Sequence, residues 1–301
     1  MLAQLSARRV HRRILETLAY HPEASAPGRH LRELLAFGYR QAISCIFPVF
    51  IFGMLSLSHV LSPSWLPRYD FLLLACIGMQ IYMYLAGLES KREVLVITVF
   101  HLLGLIMEVH KVNVGSWSYP EQAYTKIGGV PLYSGFMYAS VASYICQSWK
   151  RLDLKMIRWP VAWLSTLVAI AIYGNFMTNA YLPDVRWYIT GAIVIVFWRT
   201  KVSYATICRK RQMPMIVAFL LIGFFLWLAE NIATFLGAWK YAYQHAGWQM
   251  VDWHKYTSWS LLIIVSIIIV SQLKIKKYSL LNWWSTVRKE KKEDEAMQEK
   301  A

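Results

Sequence analysis

The chain has 301 residues, of which 57% are hydrophobic, 15% aromatic and only 16% charged, and its net charge is +15. A soluble domain carries about 25% charged residues, so the composition excludes an ordinary water-facing surface and fits helices that face lipid. The basic excess does not describe a nucleic-acid-binding protein, because the lysines and arginines fall between hydrophobic runs instead of forming a patch on a soluble domain.

Residues 1–36 set Leu2, Leu5, Val10, Ile14, Leu15 and Leu18 among Arg8, Arg9, Arg12 and Arg13. That is the pattern of an amphipathic helix on an anionic inner leaflet, with a solvated basic tail as the alternative. No cleavable leader is expected, since the first apolar run begins late and lacks a small-residue cleavage site. Eight apolar stretches follow, at 37–61, 69–88, 93–110, 129–149, 157–177, 185–200, 213–236 and 256–274, the third and sixth being the shortest. A membrane span takes about 20 residues and must be helical, because lipid offers no partners to backbone N–H and C=O groups. Residues 275–301 form a charged tail in which Leu280, Leu281, Trp283 and Trp284 suggest a second interfacial anchor.

Positive charge gives an independent reading of topology. With the N-terminus cytoplasmic, only Arg68, Lys111, Lys126, Arg186, Lys240 and Lys255 of the 32 basic residues fall in outer segments. The expectation is an all-α, polytopic membrane bundle of eight transmembrane helices with both termini cytoplasmic. Its parts are a basic amphipathic segment (1–36), a first four-helix unit (37–149), a second (150–274) and a tail (275–301). Cys45, Cys76, Cys146 and Cys208 fall in helices or on the cytoplasmic side, away from oxidising loops, and read as packing residues.

The third and seventh stretches end alike. Residues 108 to 119 read EVHKVNVGSWSY and residues 230 to 241 read ENIATFLGAWKY. Aligning Glu108 with Glu230 aligns Gly115 with Gly237, Trp117 with Trp239 and Tyr119 with Tyr241, each pair before an outer loop. Such a match predicts a 4+4 parallel internal repeat, whose pseudo-twofold axis brings the glutamates toward one central site. An ionisable residue in a span is costly and marks function by default, although an interfacial cap is the bland alternative. Glu108 and Glu230 are therefore the candidate catalytic residues. His101 lies two turns before Glu108 on nearly the same face, with Gly104 leaving room between them. In extended segments Trp117 and Tyr119, like Trp239 and Tyr241, share a side and can roof a cavity. Interfacial enrichment of tryptophan and tyrosine is the plainer account of these rings. Asn231, beside Glu230, completes the substrate-binding set of His101, Trp117, Tyr119, Trp239 and Tyr241.

His110, His245, Asp252 and His254 offer metal-type donors in outer loops, but their spacing matches no metal motif and no metal is assigned. Nucleotide-binding and nucleophile-elbow motifs are absent, and no cofactor is specified. Asn175, Thr178 and Asn179 read as a helix end.

The stretch from Glu108 through GSWSYPEQAYTKIGGVPLYSGFMYA, with its echo ENIATFLGAWKYAYQ, resembles the YoaT-like family of bacterial integral membrane proteins over essentially the whole chain. That resemblance implies a multi-pass protein of the bacterial inner membrane. Across a shorter span, the glutamate, the glycine–aromatic turn and Gly129-Val130-Pro131 are similar to membrane carotenoid hydratases and heterodimeric-type carotenoid cyclases, though the acidic P-x-E-E signature is missing. This likeness implies protonation of a polyene by a neutral glutamate, with aromatic faces stabilising the carbocation. The implied partners are the bilayer and a membrane lipid or isoprenoid. A proton- or cation-coupled carrier and a non-catalytic membrane protein are the alternatives.

Overall fold

The structure, a computed structural model, describes residues 26–206 and 209–274, with Arg13, Ile14 and Thr17 ahead of them. The amphipathic segment as a whole, Cys208, and the anchor around Trp283 and Trp284 lie outside the described residues. Each of the eight apolar stretches contains a helix, but the first contains a break. Helix α1 (Ala26–Ser44) begins within the segment assigned to the cytoplasm, and α2 (Ile46–Leu61) leaves it at Cys45 with a bend of 62°. Pro48 supplies the reason: it has no N–H to give the Ser44 carbonyl four residues back, and its ring crowds that carbonyl.

Next come α3 (Arg68–Leu85) and α4 (Lys91–Asn113). The start of α4 is written in the sequence as Ser90-Lys-Arg-Glu93, and these residues form a reciprocal capping box. After a loop, β1 (Lys126–Ile127) and β2 (Val130–Pro131) pair across Gly128 and Gly129, whose φ values of 57° and 80° suit the tight turn. Helices α5 (Ser134–Arg151), α6 (Ala162–Thr178), α7 (Arg186–Phe197), α8 (Met215–Phe235) and α9 (His254–Lys274) follow.

Among the described residues, α4, α8 and α9 are each long and apolar enough to cross a membrane, and the bent pair α1–α2 makes a fourth candidate. The expected sixth span corresponds to α7, only 12 residues long, or about 18 Å against a hydrocarbon core of about 30 Å. Leu74, Ile81, Leu95, Leu102, Ile106, Trp163, Ile170, Ile195, Phe225 and Ile232 point outward from these helices. Such an apolar exterior suits lipid and not water. The chain is a mostly helical membrane protein.

The all-α expectation needs a correction. Strands β3 (Lys155–Ile157), β4 (Lys201–Ala205) and β5 (Lys210–Pro214) form a three-stranded antiparallel sheet. They come from the basic segments between helices, whose backbone groups satisfy one another there. Arg40 Nη1 donates to the Ala205 carbonyl at 2.8 Å, and Arg211 pairs with Glu33 at 2.5 Å, so the sheet is held against α1.

Helix α5 is the hub. Ser134, Ala139, Ser140, Ala142, Ser143 and Ser148 are buried, and their small size lets α4 approach closely. One apolar cluster gathers around Ile145, Trp149, Phe197, Phe219 and Ile268, a second around Phe47, Tyr69, Tyr133, Trp239 and Tyr241. Where α3 turns into α4, two carboxyls are buried. Glu93 pairs with Lys150 at 2.5 Å and Lys274 at 2.9 Å, tying the start of α4 to the ends of α5 and α9. Glu89, in the connecting turn, accepts from Gln80 Nε2 at 2.5 Å and from Ser143 Oγ.

Burial pushes the Glu89 carboxyl above the usual carboxylate range, against the hydrogen bonds from Ser143 and Gln80, which pull it down. The folded chain therefore holds this proton more tightly than the unfolded one. The resulting stabilisation is complete in acid and is lost as pH rises through the folded-state pKa. Glu89→Gln is expected to remove that loss and so to be the more heat-stable chain at alkaline pH. Melting temperature against pH, read as the difference between the two proteins, checks this; superimposable profiles would refute it.

Candidate functional site

Helices α4 and α8 end in the same way. At Gly115 and at Gly237 φ is 72°, a left-handed conformation that favours glycine. Gly115 N–H donates to the Val112 carbonyl and Ser116 N–H to that of Lys111; Gly237 N–H donates to Thr234 and Ala238 N–H to Ala233. Both turns are Schellman caps, and each throws the following chain back over its own helix.

That return brings the rings of each motif onto the glutamate behind it. Glu108 is 3% exposed and accepts three hydrogen bonds, from Trp117 Nε1 and Tyr119 OH at 2.7 Å each and from Tyr138 OH at 2.6 Å. Tyr138 arrives from α5 through the gap left by Gly104, where a Cβ would stand 2.4 Å from the tyrosine ring. Glu230 is equally buried and accepts from Tyr241 OH, but its Oε2 makes no hydrogen bond, although the Trp259 side chain lies close by. Burial drives the Tyr119 and Tyr241 hydroxyls well above the usual phenol range, so both remain donors at neutral pH.

The two returning segments also meet each other. Ser118 and Lys240, the residues between the tryptophan and tyrosine of each motif, pair antiparallel through N–H to carbonyl bonds of 2.9 and 3.0 Å. Trp117, bound to Glu108, meets Tyr241, bound to Glu230, edge to face at 6.0 Å.

The start of α3 braces this roof. Arg68, largely buried, donates to the Leu236 and Gly237 carbonyls at 3.0 and 3.1 Å and pairs with Glu121 at 3.0 Å. Asp70 accepts from the Tyr124 and Thr125 N–H groups at 2.7 and 3.0 Å. Tyr133 OH donates to the Ala238 carbonyl at 2.6 Å, and Lys126 Nζ to that of Tyr119 at 2.7 Å.

Beside the roof lies a cavity of about 220 Å³ whose walls include Trp117, Tyr241, Tyr243 and Trp259. Neither glutamate lines it; each sits one ring behind. Tyr119 and Trp239 are buried in the second apolar cluster. His101 packs edge to face on Phe136 at 4.5 Å against the start of α5, away from the cavity. Asn231 accepts from the Val251 N–H at 2.9 Å and donates to the Trp227 carbonyl at 2.8 Å, which pins the loop between α8 and α9 to α8.

The outer-loop donors stay apart. His110 Nε2 meets the Met177 carbonyl at 2.6 Å, Asp252 caps the His254 N–H at 2.8 Å, and His245 is exposed. Among the described residues no three histidine, cysteine or carboxylate side chains gather as metal ligands. Tyr138, Trp259, Arg68 and Asp70 had no motif in the sequence; only the fold brings them to the two turns.

The family described as "Protein of unknown function (DUF817)" matches residues 33–267. The Uncharacterized protein YoaT of Bacillus subtilis (strain 168) is 51% identical over 246 residues, which is 82% of this chain and 93% of that protein. The chain belongs to this family, in keeping with the YoaT-like resemblance read from its motifs. A crystal structure of a mycobacterial Insig homolog from Mycobacterium vanbaalenii aligns with a TM-score of 0.43 at 13% identity, covering 60% of this chain and 92% of that one. A likeness of that size carries no argument about fold or activity.

Replacing Glu108 with Gln keeps a carbonyl for Trp117 and Tyr119 but turns an NH₂ toward Tyr138, whose hydroxyl must reverse to accept, and the loss of three bonds to a carboxylate is expected to cost about 1.5–3 kcal/mol of stability. Glu230→Gln keeps a carbonyl for Tyr241 and should cost about 1 kcal/mol or less. Thermal or denaturant unfolding in detergent measures both, and equal losses would contradict the asymmetry.

Proposed function

We propose that this member of the DUF817 family is a multi-pass inner-membrane protein that binds a lipid-soluble, isoprenoid-type ligand at its outer side, with Glu230 as its proton-exchanging group. In this reading eight helices lie in or across the bilayer, both termini are cytoplasmic, and two like-built halves of four helices meet at their G-x-W-x-Y segments. The pairing of Ser118 with Lys240, its own equivalent in the aligned motifs, supports that arrangement, because a twofold axis requires such self-matched pairing.

A single observation carries the assignment to Glu230. The two glutamates occupy matched positions, yet Glu108 has three donors whereas Glu230 keeps one oxygen without a hydrogen bond. A saturated carboxylate is a fastener. Glu230 stands one ring behind the cavity, and with its second oxygen unbonded it can exchange a proton with what the cavity holds by way of the Tyr241 hydroxyl, which it bonds.

The chemistry implied by the carotenoid hydratases and cyclases fits less well. Lys111 and Lys255 line the same cavity, as does Arg186, which is paired with Asp184, and a carbocation formed beside two lysines is destabilised. Binding or carriage of an isoprenoid lipid is favoured over its cyclisation. The bend at Cys45 favours a second reading, a proton-coupled carrier, since broken helices serve alternating access.

Full-length protein purified from a carotenoid- or quinone-making host is expected to release an isoprenoid lipid on organic extraction, less of it from Trp117→Ala. Consistently lipid-free preparations would end the reading. Proton flux in proteoliposomes that Glu230→Gln abolishes and Glu108→Gln does not would assign the carrier.

A further inference from the structure

Six basic residues are assigned to outer segments, on the side of the membrane where such residues are disfavoured. Lys126 and Arg68 are spent on backbone carbonyls, and Arg68 also on Glu121. Lys111, Arg186 and Lys255 converge from α4, α7 and α9 on one cavity. Arg186 is neutralised by Asp184 at 2.5 Å. Lys111 and Lys255 form no ion pair among the described residues.

Lys111 is the more telling. It is only 4% exposed, its Nζ donates to the neutral Asn179 Oδ1 at 2.8 Å, and it stands 4.4 Å from the centre of the Phe176 ring. Lys255 lies 4.8 Å from the centre of the Tyr241 ring. A buried ammonium ion without a counter-charge costs several kcal/mol, and rings and an amide offset only part of that. Asp252, exposed at the cavity wall, and Glu230 behind Tyr241 both attract Lys255. The buried Lys111 is left as the lining cation with no carboxylate bonded to it or set against it in an ion pair.

We propose that this cavity is a binding site for a phosphate or phosphate-ester group, gripped by Lys111 and Lys255 with Arg186 at its edge. At about 220 Å³ the space equals roughly seven waters and falls below the ~300–1,000 Å³ that encloses a whole drug-sized molecule. It accommodates a head group whose remainder lies elsewhere, or a free anion. Asn179 and Ser258 supply neutral polar contacts at the wall. The site rests on the placement of these cations and does not require the proton role of Glu230.

The test uses the full chain in detergent at low ionic strength, with inorganic phosphate, a dodecyl phosphate and dodecanol as probes and thermal stability as the readout. Phosphate-bearing probes are expected to raise the melting temperature in a saturable, salt-sensitive way, and dodecanol is not. A full effect from inorganic phosphate identifies a soluble anion; an effect confined to dodecyl phosphate identifies a lipid head group. Lys111→Met and Lys255→Met should each weaken binding by at least about tenfold, while Lys240→Met, outside the cavity, should not. Without ligand, Lys111→Met is expected to melt no lower than the parent, since it removes an uncompensated buried charge. If that variant does not fold, Lys255→Met decides alone. Equal stabilisation by dodecanol, or unchanged affinity in the lysine variants, overturns the site.

Discussion

A carboxylate excluded from water must be given donors, and the end of this molecule where α4 and α8 finish is organised around that requirement. Glu108 sits one turn inside the end of a long apolar helix. The Schellman turn at Gly115 then delivers Trp117 and Tyr119 to it, and α5 delivers Tyr138 through the space that Gly104 leaves. Three neutral donors around one carboxylate make a rigid knot, because each is buried and has nowhere else to bond. The segment carrying two of those donors is also the one that pairs with its counterpart after α8. Satisfying Glu108 therefore fixes where the segments after α4 and α8 touch.

The second turn repeats the geometry with a looser ending. Gly237 and Tyr241 match Gly115 and Tyr119, but no phenol from α9 takes the place that Tyr138 takes from α5, and one oxygen of Glu230 remains unbonded. Arg68 compensates at the backbone level by holding the carbonyls of that turn, while Asp70, two residues on, holds the loop after the first motif. The start of α3 thus clamps both motifs. The two matched turns therefore differ in how fully their glutamates are bonded.

Charge follows the same division. The buried acids at the turn from α3 to α4 are matched by lysines or hydroxyls, with Glu93 held between Lys150 and Lys274. At the other end the cations outnumber their partners. The buried Lys111, which forms no ion pair among the described residues, is hard to explain by stability, since apolar replacements of similar size are often no worse. It is readily explained by a ligand that brings the missing negative charge.

The sequence determined the membrane character, the position of a helix in every apolar stretch and the matched glutamate–glycine–aromatic motifs. These follow from local rules of length, polarity and turn chemistry that need no knowledge of distant residues. It did not reveal the bend at Cys45 as a break between two helices, nor the three-stranded sheet, whose strands are separated by whole helices before they pair. The site residues divide in the same way. Glu108, Trp117 and Tyr119 lie within one motif, Glu230 and Tyr241 within its counterpart, and these were legible. Lys111, Lys255 and Arg68 showed only as basic residues where such residues are disfavoured, and Tyr138 and Trp259 had no signal of their own, because what makes them matter is a contact across many residues of chain. Only the tertiary structure decided that the glutamates stand behind the cavity wall instead of lining it. Periodicity can say that a side chain faces inward, but only the packed neighbours determine what it meets there.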